Sequence, residues 1–187
     1  MNICLVSLLS LITLSSVADP AEVILIRHGE KPESRKDPHL TPEGRLRATE
    51  WKGYFSARTP QPNLLMAPKP SLQHPSVRPI ETLEPLAQSL HFTVETPTES
   101  GEHAELARQL RSDSRFQNKT VVVCWVHQSL PDLARELGVK NPPAEWGAEN
   151  YGGAWVLTYK AGTVDLKVIP DATPAPKVAA PASAGSK

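Results

Sequence analysis

The chain has 187 residues, 40% of them hydrophobic, with 20 basic and 20 acidic side chains and no net charge. That length suits one ordinary domain with its own core, which must be mostly aliphatic because aromatic residues make up only 5%. No basic stripe offers itself to nucleic acid, and no basic amphipathic helix marks a membrane surface.

Along the chain, residues 1–18 stand apart. The apolar run "ICLVSLLSLITL" leads to Ser16, Val17 and Ala18, a small-x-small cleavage site before Asp19. The run is short of the roughly 20 apolar residues a membrane span needs. Residues 1–18 are therefore expected to be a signal peptide, with the protein exported to a periplasm or secreted and no stable membrane span after cleavage. An uncleaved anchor is the alternative. Cleavage removes Cys4 and leaves Cys124 alone, so the mature chain cannot form an internal disulfide. Inside "VVVCWV", Cys124 reads as a buried, inert thiol.

Residues 22–26 form a short, wholly apolar strand. "LTPEGRLRATEWKGYFSAR" (40–58) reads as a helix with Thr41 as N-cap and Pro42 at its first position. Leu46, Thr49, Trp51 and Phe55 are expected to form its apolar side. "NLLMA" (63–67) is a second strand, and "VRPIETLEPLAQSL" (77–90) a second helix with Ile80, Leu83, Leu86, Ala87 and Leu90 at helical spacing. Pro79 fits its first turn, and Pro85 is expected to bend it. "FTVE" (92–95) is a third strand, "EHAELARQLR" (102–111) a third helix, and "TVVVCWV" (120–126) the clearest strand of all. "LPDLARELG" (130–138) is a fourth helix, stopped by Gly138. "GAWVLTYK" (153–160) and "VDLKVI" (164–169) make a hairpin turned at Ala161 and Gly162. Residues 171–187, rich in Pro, Ala and Ser, bury too little to offset their ordering entropy and are expected to be a disordered tail. The domain is thus 19–170. Strands alternating with helices imply an α/β fold: a three-layer αβα sandwich around a mainly parallel sheet.

The two most apolar strands end alike. One runs into Arg27-His28-Gly29-Glu30, the other into His127-Gln128-Ser129. Ligands of open α/β sheets bind at the carboxyl ends of the strands, so both histidines should share one edge of the sheet. Arg78, which begins a helix after a strand-to-helix loop, should reach that edge too. Two arginines and two histidines without a matching set of carboxylates make an anion pocket. Arginine's planar fork suits phosphate oxygens, and a neutral imidazole is a competent nucleophile toward phosphorus. Phosphoryl transfer is the chemistry expected there.

Arg27-His28-Gly29-Glu30 resembles the signature of the histidine phosphatase superfamily, whose fold is phosphoglycerate-mutase-like. "LTPEG" (40–44), "SVRPIET" (76–82) and "VVVCWVHQSLPDLARELG" (121–138) are similar to its other motifs, in the family's order and spacing. The resemblance covers most of residues 21–139. It implies His28 as the nucleophile that becomes phosphorylated, Arg27 and Arg78 as substrate-binding ligands of the phosphoryl oxygens, and His127 as a further catalytic donor to them. Glu30 would support this group. The family's usual acid for the leaving group has no clear counterpart here, with Glu99 and Glu102 in the right region. With the expected signal peptide, the resemblance points to an exported phosphomonoesterase acting on a small phosphorylated substrate, with no cofactor and no metal.

Two other readings use the same residues. A catalytically silent phosphate-ligand binding protein would share the pocket, and a phosphomutase would share the nucleophile. Short loops between the motifs leave little for a water-excluding lid, which favours hydrolysis over the mutase. A metallohydrolase would need acidic or histidine ligands at fixed spacing, such as H-E-x-x-H, and none occurs. His39, His74, His91 and His103 have no comparable context, although His74 is placed to line the pocket mouth.

Overall fold

The structure, a computed structural model, describes residues 19–34, 36–160 and 162–173. The expected signal peptide, Ala161 of the hairpin turn and positions 174–187 of the expected tail lie outside these residues. Six strands and four helices follow in order: β1 (Glu22–Arg27), α1 (Pro42–Ser56), β2 (Leu64–Met66), α2 (Arg78–Leu90), β3 (Val94–Glu95), α3 (His103–Ser112), β4 (Thr120–Trp125), α4 (Leu130–Glu136), β5 (Ala154–Lys160) and β6 (Thr163–Ile169). The strands form one sheet in the order β3-β2-β4-β1-β5-β6. β1, β2, β3 and β4 run parallel to one another, while β5 pairs antiparallel with both β1 and β6.

A parallel strand inside such a sheet is buried on both faces, which is why β1 and β4 are continuously apolar. Alternate residues then serve opposite layers. Val23, Leu25, Val121 and Val123 pack with Leu106 and Leu110 of α3 and Leu133 of α4. Ile24, Ile26, Val122 and Cys124 pack with Trp51 and Phe55 of α1 and Leu83 and Leu86 of α2. The result is the three-layer sandwich, with Cys124 fully buried and its thiol pKa pushed up by desolvation.

Two local expectations change. In α1 the buried residues are Gly44, Arg47, Ala48, Trp51 and Phe55, whereas Leu46 and Thr49 are exposed. The helix is rotated relative to the hydrophobic reading because the charged Arg47 belongs inside, paired with Glu30. β3 keeps only two of the four expected residues, and Phe92 is 38% exposed. The ordered chain also runs three residues past position 170, where the Thr173 carbonyl accepts a hydrogen bond from Arg47 and the Thr173 N–H bonds to Gly152.

One backbone contact fixes the approach of α1 to the sheet. Thr41 caps α1 by accepting from the Gly44 N–H at 3.0 Å, and its own N–H bonds to the Glu30 carbonyl at 3.0 Å. A Cβ on Gly29 would lie 2.7 Å from the Gly44 oxygen, and one on Gly44 would lie 2.5 Å from the Glu30 oxygen. Two glycines therefore let the start of α1 rest directly on the segment that carries His28.

Candidate active site

β1 and β4 are neighbours in register, with Arg27 opposite Trp125, so the segments that follow them emerge side by side. His28 lies one residue past β1 and is 4% exposed. His127 opens a short 3-10 turn, His127–Ser129, two residues past β4. Arg27 is 1% exposed. Arg78 begins α2 at the same sheet edge, and Thr82 ties it to His28's segment. The Thr82 hydroxyl donates to the Arg78 carbonyl at 2.8 Å and accepts from the Gly29 N–H at 2.9 Å. The threonine four residues after Arg78 thus locks the two motifs together.

The His28 ring has a defined tautomer. Its Nδ1 lies 2.7 Å from the Gly29 carbonyl oxygen, which can only accept, so Nδ1 carries the proton and Nε2 keeps its lone pair. Burial, reinforced by the charges of Arg27, Arg78 and His127 and opposed by the Gly29 hydrogen bond, lowers its pKa to about 3. Desolvation, followed by the charges of Arg27 and Lys31, lowers that of His127 to about 4. Both imidazoles are neutral near pH 7. His28 presents an unprotonated nitrogen without needing a base.

The arginines share a pattern. Arg27 NH1 donates to the Ala148 carbonyl, and Arg78 NH1 donates to the Asp37 carbonyl at 2.8 Å. In each the Nε–H is buried and has no partner, and His127 Nδ1 is likewise buried without one. Buried polar atoms are almost always satisfied. Together with the charges near His28 and its free lone pair, these three atoms make a candidate cradle for a tetrahedral oxyanion, while Glu30 Oε2 and Ser76 Oγ are also buried without partners.

Glu30 faces two ways, since its charge acts on Arg27 and its Oε2 is buried without a partner, while its other oxygen is bound elsewhere. Its Oε1 accepts from Arg47 NH2 at 2.6 Å and from Arg47 Nε at 3.1 Å, so it anchors α1 beneath the site. Glu102 is exposed and its Oε2 accepts the Glu99 N–H at 2.8 Å, closing the loop before α3. A cleft of about 220 Å³ opens beside Arg78, lined by Asp37, Lys69, His74, Ser76 and Ser100 among others. His74 does line the mouth. Among the described residues, no group of three or more His, Cys, Asp or Glu is placed to hold a metal ion.

Sequence reasoning missed Tyr151. Its ring lies 3.8 Å from the Arg27 guanidinium carbon and 6.4 Å, centroid to centroid, from the His28 ring. The available signal was "NYGG", an aromatic flanked by glycine just before β5, but only pairing of β5 with β1 carries it to the site.

The two buried histidines make stability depend on pH. Each has a folded pKa below the unfolded value near 6.5, so between about pH 6.5 and 3 the unfolded chain binds more protons. Their contribution is complete above pH 6.5 and is lost as pH falls through that window. The urea midpoint should therefore drop from pH 7 to pH 4, and His28→Asn should flatten the drop. An unchanged slope in His28→Asn would contradict a buried neutral imidazole.

No family model and no curated protein matches the sequence significantly. Solved structures do match the fold. The protein histidine phosphatase SixA complexed with tungstate superposes with a TM-score of 0.58 at 15% identity, over 80% of this chain and 97% of that one. The fold is that of the histidine phosphatases. A mycobacterial glucosyl-3-phosphoglycerate phosphatase with inorganic phosphate shares this histidine-phosphatase fold with a TM-score of 0.56 at 14% identity, over 80% of this chain and 95% of that one. Bacillus stearothermophilus YhfR matches at 0.55 and 16% identity, over 80% and 96% of the two chains. At such identities the likeness is one of fold, and in this histidine-phosphatase fold the cradle lies at the carboxyl ends of β1 and β4.

Proposed function

We propose that the protein is a phosphatase that hydrolyses a phosphomonoester through a phosphohistidine on His28. The observation that carries this reading is the cradle: two buried arginine Nε–H groups and His127 Nδ1 without partners, around an Nε2 lone pair on a histidine held neutral. The named structures that share the fold support it, since two of them are phosphatases holding tungstate or inorganic phosphate.

In this reading His28 Nε2 attacks phosphorus and the bond to the leaving oxygen breaks. Arg27, Arg78 and His127 take up the charge on the three non-bridging oxygens, positioned before the reaction rather than reorganised during it. The leaving oxygen collects its proton from solvent at the cleft. Water then attacks the phosphorus, the N–P bond breaks, and the imidazole returns to its neutral form as phosphate leaves.

Purified protein should hydrolyse p-nitrophenyl phosphate, and incubation with a chelator should leave the rate unchanged. Binding of inorganic phosphate without any turnover would favour the silent binding protein. Loss of activity in chelator, restored by a divalent cation, would favour a metallohydrolase.

A further inference from the structure

Arg27 is buried to 1% exposure, and among the described residues Glu149 and Glu30 act on its charge without forming an ion pair with it. Arg47 shows the contrast: it is equally enclosed, and Glu30 neutralises it at 2.6 Å. A buried guanidinium without an ion-pair partner costs stability, so the fold must hold it in place by other means. Two contacts do so. The Ala148 carbonyl takes NH1 in the plane of the guanidinium, and the Tyr151 ring covers one face at 3.8 Å. Nε–H and NH2 are what remain, and Nε–H is buried without a partner.

The loop that supplies both contacts is itself tied down. The Asn150 N–H bonds to the Gly147 carbonyl at 3.0 Å, its Oδ1 accepts the Gly153 N–H at 2.7 Å, and its carbonyl accepts Trp146 Nε1 at 2.7 Å. Trp146 packs on Trp155 of β5, with ring centroids 5.0 Å apart. Because β5 runs antiparallel to β1 with Ala154 opposite Ile26, the loop before β5 ends where β1 ends. A rigid segment from late in the chain is thereby brought against the residue next to His28.

We propose that Tyr151 and the Ala148 carbonyl form a clamp that fixes the plane of the Arg27 guanidinium and aims its Nε–H edge at the anion site. Tyr151 acts as a positioning residue through the face of its ring, and its hydroxyl is not required. The cation–π contact holds the guanidinium whether or not an anion is present, so Arg27 does not have to be ordered on binding. The proposal rests on reading Arg27 as a phosphoryl ligand.

The test is a double-mutant cycle read by calorimetric affinity for inorganic phosphate, alongside turnover of p-nitrophenyl phosphate. Tyr151→Leu should weaken phosphate binding about tenfold, the scale of a desolvated cation–π contact. Tyr151→Phe should keep most of the affinity. Once Arg27 is alanine, adding Tyr151→Leu should change affinity less than about twofold, since nothing remains to be positioned. Tyr151→Met, which keeps apolar bulk without the ring face, serves as a second variant should the leucine protein fold poorly. Equal losses with and without Arg27 would overturn the clamp, as would a Tyr151→Phe loss as large as that of Tyr151→Leu. Wild-type protein that binds phosphate without turnover would sink the phosphatase reading and leave the clamp standing. Turnover in the wild type with unchanged phosphate affinity in Tyr151→Leu would do the reverse.

Discussion

Replacing His28 with alanine should abolish turnover and, with it, any covalent phosphoenzyme. The reason is chemical: if Nε2 attacks phosphorus, each cycle passes through an N–P bond on that ring. Such a bond is labile in acid and comparatively stable in base, unlike a phosphoserine ester. Rapid quenching with radiolabelled substrate should therefore trap acid-labile label on the peptide spanning residues 22–31. The His28 tautomer suits it to that role, because its Nδ1 proton is engaged by the Gly29 carbonyl and Nε2 is left with its lone pair. His127→Ala should slow turnover by a factor on the order of a hundred, the scale of losing one donor to a transition-state oxygen, while still permitting labelling. Label on His127 would exchange the two roles. Full activity in His28→Ala would end the mechanism.

Arg27→Ala and Arg78→Ala should each cost about 2.7–4 kcal/mol of transition-state stabilisation, seen as a loss of roughly 100- to 1000-fold in kcat. The two substitutions differ in what else they disturb. Arg27 is almost fully enclosed, and its removal leaves the Ala148 carbonyl without its donor. Arg78 holds the Asp37 carbonyl at the rim of the cleft, so its loss should also loosen the segment that leads to Leu40. Lysine at either position should recover only part of the rate. It restores the charge but not the planar fork, whose Nε–H edge is the part left without a partner. Kinetics of the four variants at saturating substrate check this. An Arg78→Ala enzyme with wild-type kcat would remove Arg78 from the site.

Much of this site is legible in the linear sequence because its residues are coupled to strong local patterns. β1 and β4 read as doubly buried strands from composition alone, and a parallel sheet places their following residues at one edge. Thr41, Pro42 and Gly44 announce the start of α1 through capping and backbone preferences that act over four residues. Thr82 lies four residues, one helical turn, from Arg78, so its hydroxyl reaches the Arg78 carbonyl within the same helix.

Other features depend on partners that no local pattern encodes. The inward face of α1 is misread by hydrophobicity because Arg47 occupies it, held there by Glu30 and the Thr173 carbonyl, 17 and 126 positions away. Glu30 looks like part of the anion site from its place beside His28, yet its Oε1 is taken by Arg47. The same distant bond carries ordered chain past position 170 into a stretch whose composition predicts disorder. Tyr151 has only the short "NYGG" to mark it, with no periodicity behind it. It reaches Arg27 because β5 returns antiparallel beside β1, and that pairing is settled by the packing of the whole sheet. Burial patterns and caps are short-range and survive in the sequence, whereas the choice of ion-pair partner and the covering of a buried cation are decided only when distant strands come into register.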